Sequence, residues 1–105
     1  MAISLNREGN PDGTIDLSVN IATTMFYNEY WEKAIKELGI KIFRENGKFS
    51  KNELSGVISE LEILKQWTIS NLEGIEREYM EERIVNLIEV IPEMFNQEDT
   101  ILYIY

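Results

Sequence analysis

The feature that most limits the possible folds is the order of the segments: strand-like sequence lies at both ends of the chain, and helix-like sequence lies between them. Apolar residues alternate with polar ones at Ile3 and Leu5 and again at Ile15, Leu17, Val19 and Ile21. A period of two is typical of half-buried strands. The loop GNPDG between the two runs concentrates turn-forming residues, so a hairpin is predicted. The C-terminal TILYIY is also rich in strand-forming residues. It has to return to the hairpin, where it could lie beside either strand.

Two of the intervening segments have clear helix signals. TTMFYNEYWEKAIKELG can be capped by Thr23 or Thr24, and Gly39 follows it where a left-handed C-terminal cap is favoured. SKNELSGVISELEILKQW begins with Ser50 and, three residues later, Glu53, which is the capping-box spacing. Apolar residues then recur at helical spacing, so each segment is predicted to be a helix with one buried face.

A third helix is predicted in SNLEGIEREYMEERIVNLIEVIPEMFNQ. Ser70 and Glu73 repeat the capping-box spacing at its start. Pro92 lacks a backbone N–H and clashes with the preceding turn, so the helix is expected to end near Val90 or to kink there. The segment IKIFRENGKF leaves two readings open: a short strand, Ile40 to Arg44, before a turn at Asn46-Gly47, or an irregular connection.

These elements predict an α+β fold in a single domain, residues 1–105. The sheet is expected to be mostly antiparallel with three to four strands, formed by the N-terminal hairpin and the C-terminal strand. About three helices are expected to pack on one face of it, because their apolar faces need a sheet to cover.

The residue types restrict the available chemistry. The chain has no histidine and no cysteine, so it cannot assemble a Ser-His-Asp or Cys-His arrangement, and we expect no enzyme and no catalytic residue. Its glycines do not form a phosphate-binding motif, so no cofactor is expected. The acids of DGTID lack the spacing of a calcium loop, so no metal site is expected.

Negative charge is concentrated in the second half. Residues 1–52 contain seven acids and seven bases, whereas residues 53–105 contain twelve acids and three bases, which accounts for the net charge of −9. Such acidity argues against binding to nucleic acid or to an anionic membrane. No apolar run reaches the roughly 20 residues of a membrane-spanning helix, and MAISLNREGN lacks a signal-peptide pattern. We expect a cytoplasmic protein.

The third helix is predicted to have an acidic face. When Leu72 to Ile91 are projected at about 100° per residue, the apolar side chains occupy one broad arc. The opposite sector holds Glu78, Glu81, Glu82 and Glu89. Arg77 and Arg83 fall outside that sector and are not expected to neutralise it. These four glutamates are therefore candidate partner-binding residues.

Aromatic residues cluster in MFYNEYW of the first helix. Aromatics at helical spacing usually form the stripe that docks on a sheet. The arc is wide, however, and leaves room for an exposed aromatic anchor, so Tyr27 and Trp31 are added to the candidate partner-binding residues.

An acidic, non-catalytic domain is suited to inhibiting a basic enzyme that degrades nucleic acid. Such an enzyme needs a cationic active site to attract phosphate, which carboxylates can cover. In size, acidity and α+β organisation the chain resembles the immunity proteins that bacteria pair with polymorphic or contact-dependent growth-inhibition toxins. The resemblance implies a toxin inhibitor that forms a tight one-to-one complex with a cognate toxin domain, often a nuclease, inside the producing cell.

Two alternatives remain. One is a phage-type inhibitor that mimics nucleic acid against a defence nuclease, for which acids should be spaced across several elements. The other is a regulatory or dimerising subunit whose C-terminal strand ILYIY completes a partner's sheet, because exposed strand edges are natural docking sites.

Overall fold

The N-terminal hairpin is present as predicted in the computed structural model, which describes all residues, 1–105. Strands β1 (Ala2–Arg7) and β2 (Leu17–Thr23) pair antiparallel. Ile15 departs from the prediction, because it lies before β2 and is 41% exposed. The Asp16 carboxylate accepts hydrogen bonds from the Arg7 side chain at 2.9 Å and from the Gly9 N–H at 3.2 Å. These bonds fold the loop back on itself, so the regular strand starts only after Asp16.

A β-bulge in β2 places two consecutive residues in the core. Ile3 lies opposite Ala22 and Ser4 lies opposite Asn20, so Ile21 is an extra residue in β2. Successive side chains of a regular strand point to opposite faces. Ile21 and Ala22 are nevertheless both buried, because the bulge redirects the strand at this point.

The sheet has four strands in the order β2-β1-β4-β3, and all neighbouring pairs are antiparallel. The C-terminal strand β4 (Ile101–Ile104) lies between β1 and β3 (Lys48–Ser50). Of the two readings of IKIFRENGKF, the irregular connection is correct for residues 40–44. The short strand forms only after a turn in which Asn46 has a left-handed backbone, with φ of 67°.

Three helices complete the α+β fold, which confirms the predicted class. Helix α1 consists of three consecutive segments: α-helical Thr24–Phe26, a π-helical turn Tyr27–Trp31 and α-helical Glu32–Leu38. The Thr23 hydroxyl accepts a hydrogen bond from the Phe26 N–H at 3.2 Å. Gly39 ends the helix with φ of 67°. Both predicted caps of this helix are therefore confirmed.

Helix α2 (Leu54–Asn71) follows a single 3-10 turn, Lys51–Glu53. The capping box predicted at Ser50 and Glu53 is present in both directions. Each of the two side chains thus satisfies a backbone N–H that the first turn leaves unpaired. This local signal places the start of α2 correctly.

Helix α3 (Gly74–Met94) corrects two expectations for the third helix. Ser70 lies in the last turn of α2 and does not cap α3, because the Leu72 N–H still bonds to the Thr68 carbonyl at 3.0 Å. The helix also continues past Pro92 to Met94, so of the two alternatives for Pro92 the end near Val90 is wrong. Its last turn buries Ile91 and Met94 completely or nearly so, and this burial outweighs the hydrogen bond that proline removes.

The connection between α1 and β3 is held by a side chain from α2. The two carboxylate oxygens of Glu60 accept hydrogen bonds from the backbone N–H groups of Lys41, Ile42 and Phe43, at distances between 2.8 and 3.2 Å. A strand would use such groups in its ladder, so these contacts explain why the segment stays irregular. They also fix the segment so that Ile40 and Phe43 are buried.

The helices and the sheet enclose one core of 24 buried apolar residues. Leu5 of β1, Phe49 of β3, and Leu102 and Ile104 of β4 supply the sheet side of it. Helix α3 packs against both α2 and β2. One side of α3 is thereby committed to the core, and the other side is left to the solvent.

Candidate functional site

The outer side of α3 carries the predicted acidic face. Met80, Ile84, Leu87 and Ile91 recur at spacings of three and four residues and are fully buried. Residues on the opposite side of an α-helix then point away from the core. Glu78, Glu82 and Glu89 are exposed, and Glu81 is half-buried. The packing of α3 therefore determines which of its glutamates face outward.

The four predicted glutamates lie together along one surface. They line a shallow depression of about 340 Å³, whose lining is Glu78, Glu81, Glu82, Val85, Asn86 and Glu89. The wheel projection from the sequence therefore groups these side chains correctly. We call this surface the acidic face.

Arginine reaches the acidic face at one point only, which corrects the expectation that neither arginine would do so. The Arg77 side chain lies 3.7 Å from a carboxylate oxygen of Glu81, one turn further along the helix. Arg83 instead stacks over the Tyr79 ring, 5.5 Å from its centroid. The other three ion pairs of the chain lie elsewhere. Glu78, Glu82 and Glu89 consequently form no ion pair within the chain.

Val85 is a member of the acidic face that the sequence analysis missed. Its side chain is 37% exposed and lies in the same depression as the glutamates. The projection that groups the glutamates also places Val85 among them, so the signal was available in the sequence. The acidic face thus has an apolar side chain surrounded by carboxylates.

Tyr27 and Trp31 are not surface anchors, which corrects their assignment as candidate partner-binding residues. Their exposed fractions are 1% and 0%. The two rings stack with centroids 6.1 Å apart, and the Tyr27 hydroxyl accepts a hydrogen bond from the Glu45 N–H at 2.8 Å. A π-helical turn is wider than an α-helical one, and both residues lie in such a turn. Both residues belong to the core.

Burial of Tyr27 gives a test of this placement at alkaline pH. Burial raises the pKa of Tyr27 to about 12, whereas an unfolded tyrosine has a pKa of about 10. The stability that this difference provides is complete below about pH 10 and is lost as the pH rises towards about 12. We expect the free energy of unfolding in urea to fall more steeply over this range for the wild type than for Tyr27→Phe. Equal slopes would contradict the burial of the hydroxyl.

The structure also bears on metals and membranes. No group of three or more acidic side chains lies close enough together to hold a metal ion. No helix has both the length and the apolar composition that crossing a bilayer requires.

Comparisons of the chain with protein-family models, with curated proteins and with solved structures found no match.

Proposed function

We propose that this chain binds and neutralises a basic protein domain, in particular a nuclease-type domain of a bacterial toxin, through the acidic face of α3. The observation that carries the proposal is a set of three exposed carboxylates, Glu78, Glu82 and Glu89, none of which forms an ion pair within the chain. Glu78 and Glu82 are four residues apart, and like charges at this spacing cost a helix a few tenths of a kcal/mol. A partner that supplies lysine or arginine would convert this cost into attraction.

The overall charge supports the same kind of partner. Residues 53–105 carry the entire net charge of −9. A domain that cleaves nucleic acid presents cationic groups to phosphate. Opposite potentials on two surfaces accelerate association and favour the matching partner over others. The inhibitor itself then needs only a fixed array of carboxylates.

The position of Val85 supports a protein partner rather than a small cation. Protein interfaces commonly have an apolar centre, depleted of charge, inside a polar rim. On the acidic face Val85 is flanked by Glu81, Glu82 and Glu89 in sequence and in space. A partner side chain packed on Val85 would bring its neighbouring cations within reach of the carboxylates.

The resemblance to toxin immunity proteins supplies the biological class of the partner. It predicts that the gene next to this one encodes a large toxin with a basic C-terminal domain. The test is to express that C-terminal domain in a bacterial host with and without this chain. Growth should continue when this chain is present and stop when it is absent, and the two proteins should purify together. A toxin that still kills in the presence of this chain would overturn the proposal.

A further inference from the structure

Strand β2 has an open edge with two residues whose backbone groups point outward. Ser4 exchanges both of its backbone hydrogen bonds with Tyr105, at 2.9 and 3.0 Å, so the backbone groups of Ser4 face the C-terminal strand. Residues of a strand face its two neighbours alternately, and Leu5 therefore faces β2. Its partner Val19 faces β1 in return. It follows that Ser18 and Asn20 direct their N–H and C=O groups away from the sheet.

Between Leu17 and Asn20 this edge has no charge, no proline and no bulge, which are common protections of an edge strand against pairing. Natural edge strands are commonly shortened, charged or interrupted by proline. β2 has seven residues, LSVNIAT, with no charge and no proline, in a chain of net charge −9. Its flat part runs from Leu17 to Asn20, before the bulge at Ile21. The opposite edge, β3, has only three residues and carries Lys48.

Helix α3 runs alongside β2. The Thr23 N–H at one end of β2 donates to the Tyr79 hydroxyl at 3.3 Å. At the other end Arg7, which pairs with Leu17, donates to the Met94 carbonyl at 2.9 Å. Tyr79, Arg83 and Val90 follow one another at spacings of four and seven, so they share one stripe of α3. This stripe is distinct from the acidic face.

We propose that the edge of β2 binds the same edge of a second copy of this chain, giving an eight-stranded sheet with a two-fold axis at Val19. In this register Ser18 faces Asn20 of the second copy and Asn20 faces its Ser18. The two outward-facing residues lie symmetrically about Val19, so all their backbone groups find partners in four hydrogen bonds. An interface of this kind is self-complementary, as a two-fold dimer requires.

The side chains fit the same register. Val19 meets Val19 of the second copy on the helix-covered side, where the half-buried Val19 already packs against the core. Leu17, which is 37% exposed, points to that side as well. The edge itself carries no charge. Pairing therefore brings no like charges of the two copies together at the contact. The inference goes beyond the proposed function, because the acidic face stays open in both copies.

The association is tested first by mass. Light scattering after size exclusion should give about twice the chain mass of 12.3 kDa at high concentration, with a return to the single mass on dilution. Asn20→Asp keeps the oxygen that accepts the Ser4 hydroxyl at 2.9 Å. It places two negative charges about 8 Å apart across the axis, so the dissociation constant should rise by up to about fivefold. Gln66→Glu on the exposed surface of α2 adds the same charge and should leave it unchanged.

The register is tested by cysteine, which the chain lacks. In the proposed dimer Val19 and its copy form a non-hydrogen-bonded pair with Cα atoms about 4.5 Å apart, which suits a disulfide. Leu17 and its copy are about 13 Å apart along the strands and cannot be bridged. Val19→Cys should therefore oxidise to a covalent dimer, and the more exposed Leu17→Cys should not. A monomer at every concentration, or equal cross-linking of the two variants, would overturn the proposal.

Discussion

Replacing Glu78, Glu82 and Glu89 with glutamine is expected to weaken binding to the basic toxin domain roughly 100-fold at low salt. An exposed charge pair contributes up to about 1 kcal/mol, so the loss of three such pairs amounts to about 3 kcal/mol, somewhat more than a factor of 100 in affinity. Part of the loss should appear as slower association, because the acidic face no longer attracts the partner over a distance. The measurement is the association and dissociation rate at two salt concentrations.

A matched control separates the acidic face from net charge. Glu29→Gln, Glu62→Gln and Asp99→Asn change the net charge by the same amount at exposed positions outside the acidic face. This variant should bind almost as tightly as the wild type, with a slightly smaller salt dependence. Equal weakening by both variants would assign the effect to overall charge and remove α3 from the interface.

The glutamine variant should also stay folded. The three glutamates make no ion pair, and Glu78 and Glu82 repel each other at four residues' spacing. Their replacement is expected to leave the midpoint of urea unfolding unchanged or to raise it slightly. A fall in affinity can then be attributed to the surface and not to unfolding.

Local sequence signals were sufficient for most of the fold. The Ser50–Glu53 capping box, the αL cap at Gly39 and the alternation in β1 each act within a few residues, and each appears in the structure. The wheel projection of α3 succeeded for the same reason, because α3 is a regular α-helix around the acidic face. Where the backbone is regular, periodicity alone places the side chains.

The errors occurred where a distant contact or an irregular turn decides the outcome. Ser70 and Glu73 have the capping-box spacing, but α2 continues through Ser70 to Asn71. Burial of Trp67 and Thr68 favours this continuation over a new helix start. A projection at about 100° per residue does not apply across a π-helical turn. The wide aromatic arc of α1 was therefore compatible with exposure of Tyr27 or Trp31, although the core encloses both.

The place of β4 could not be read from its composition. TILYIY predicts a strand, but the order of strands depends on which edge it reaches. It lies between β1 and β3, so both of its edges are occupied by its own sheet. A docking role for the C-terminal strand through a free edge does not fit this arrangement, and the open edge belongs to β2.

Replacing Glu60 with glutamine is expected to lower the free energy of unfolding by about 2–3 kcal/mol. Hydrogen bonds to a charged acceptor contribute more than those to a neutral one, and a buried donor left unpaired is costly. The carboxylate accepts from three successive backbone N–H groups, those of Lys41, Ile42 and Phe43, using both oxygens. Glutamine offers one acceptor oxygen, and its amide N–H₂ would point at donors. At least one backbone N–H is then left without a partner.

The loss should spread beyond the connection itself, because the bonds to Glu60 hold Ile40 and Phe43 in the core. Glu62→Gln is the matched control, because it makes the same change two residues along α2 at an exposed side chain outside the hydrogen-bond network. It should alter the free energy of unfolding by less than about 0.5 kcal/mol. Urea unfolding monitored by tryptophan fluorescence measures the stability of both variants. The fluorescence is sensitive to the connection, because the ring centroids of Trp31 and Phe43 lie 6.2 Å apart. If Glu60→Gln proves as stable as Glu62→Gln, the connection is held by the burial of its apolar side chains and not by the carboxylate.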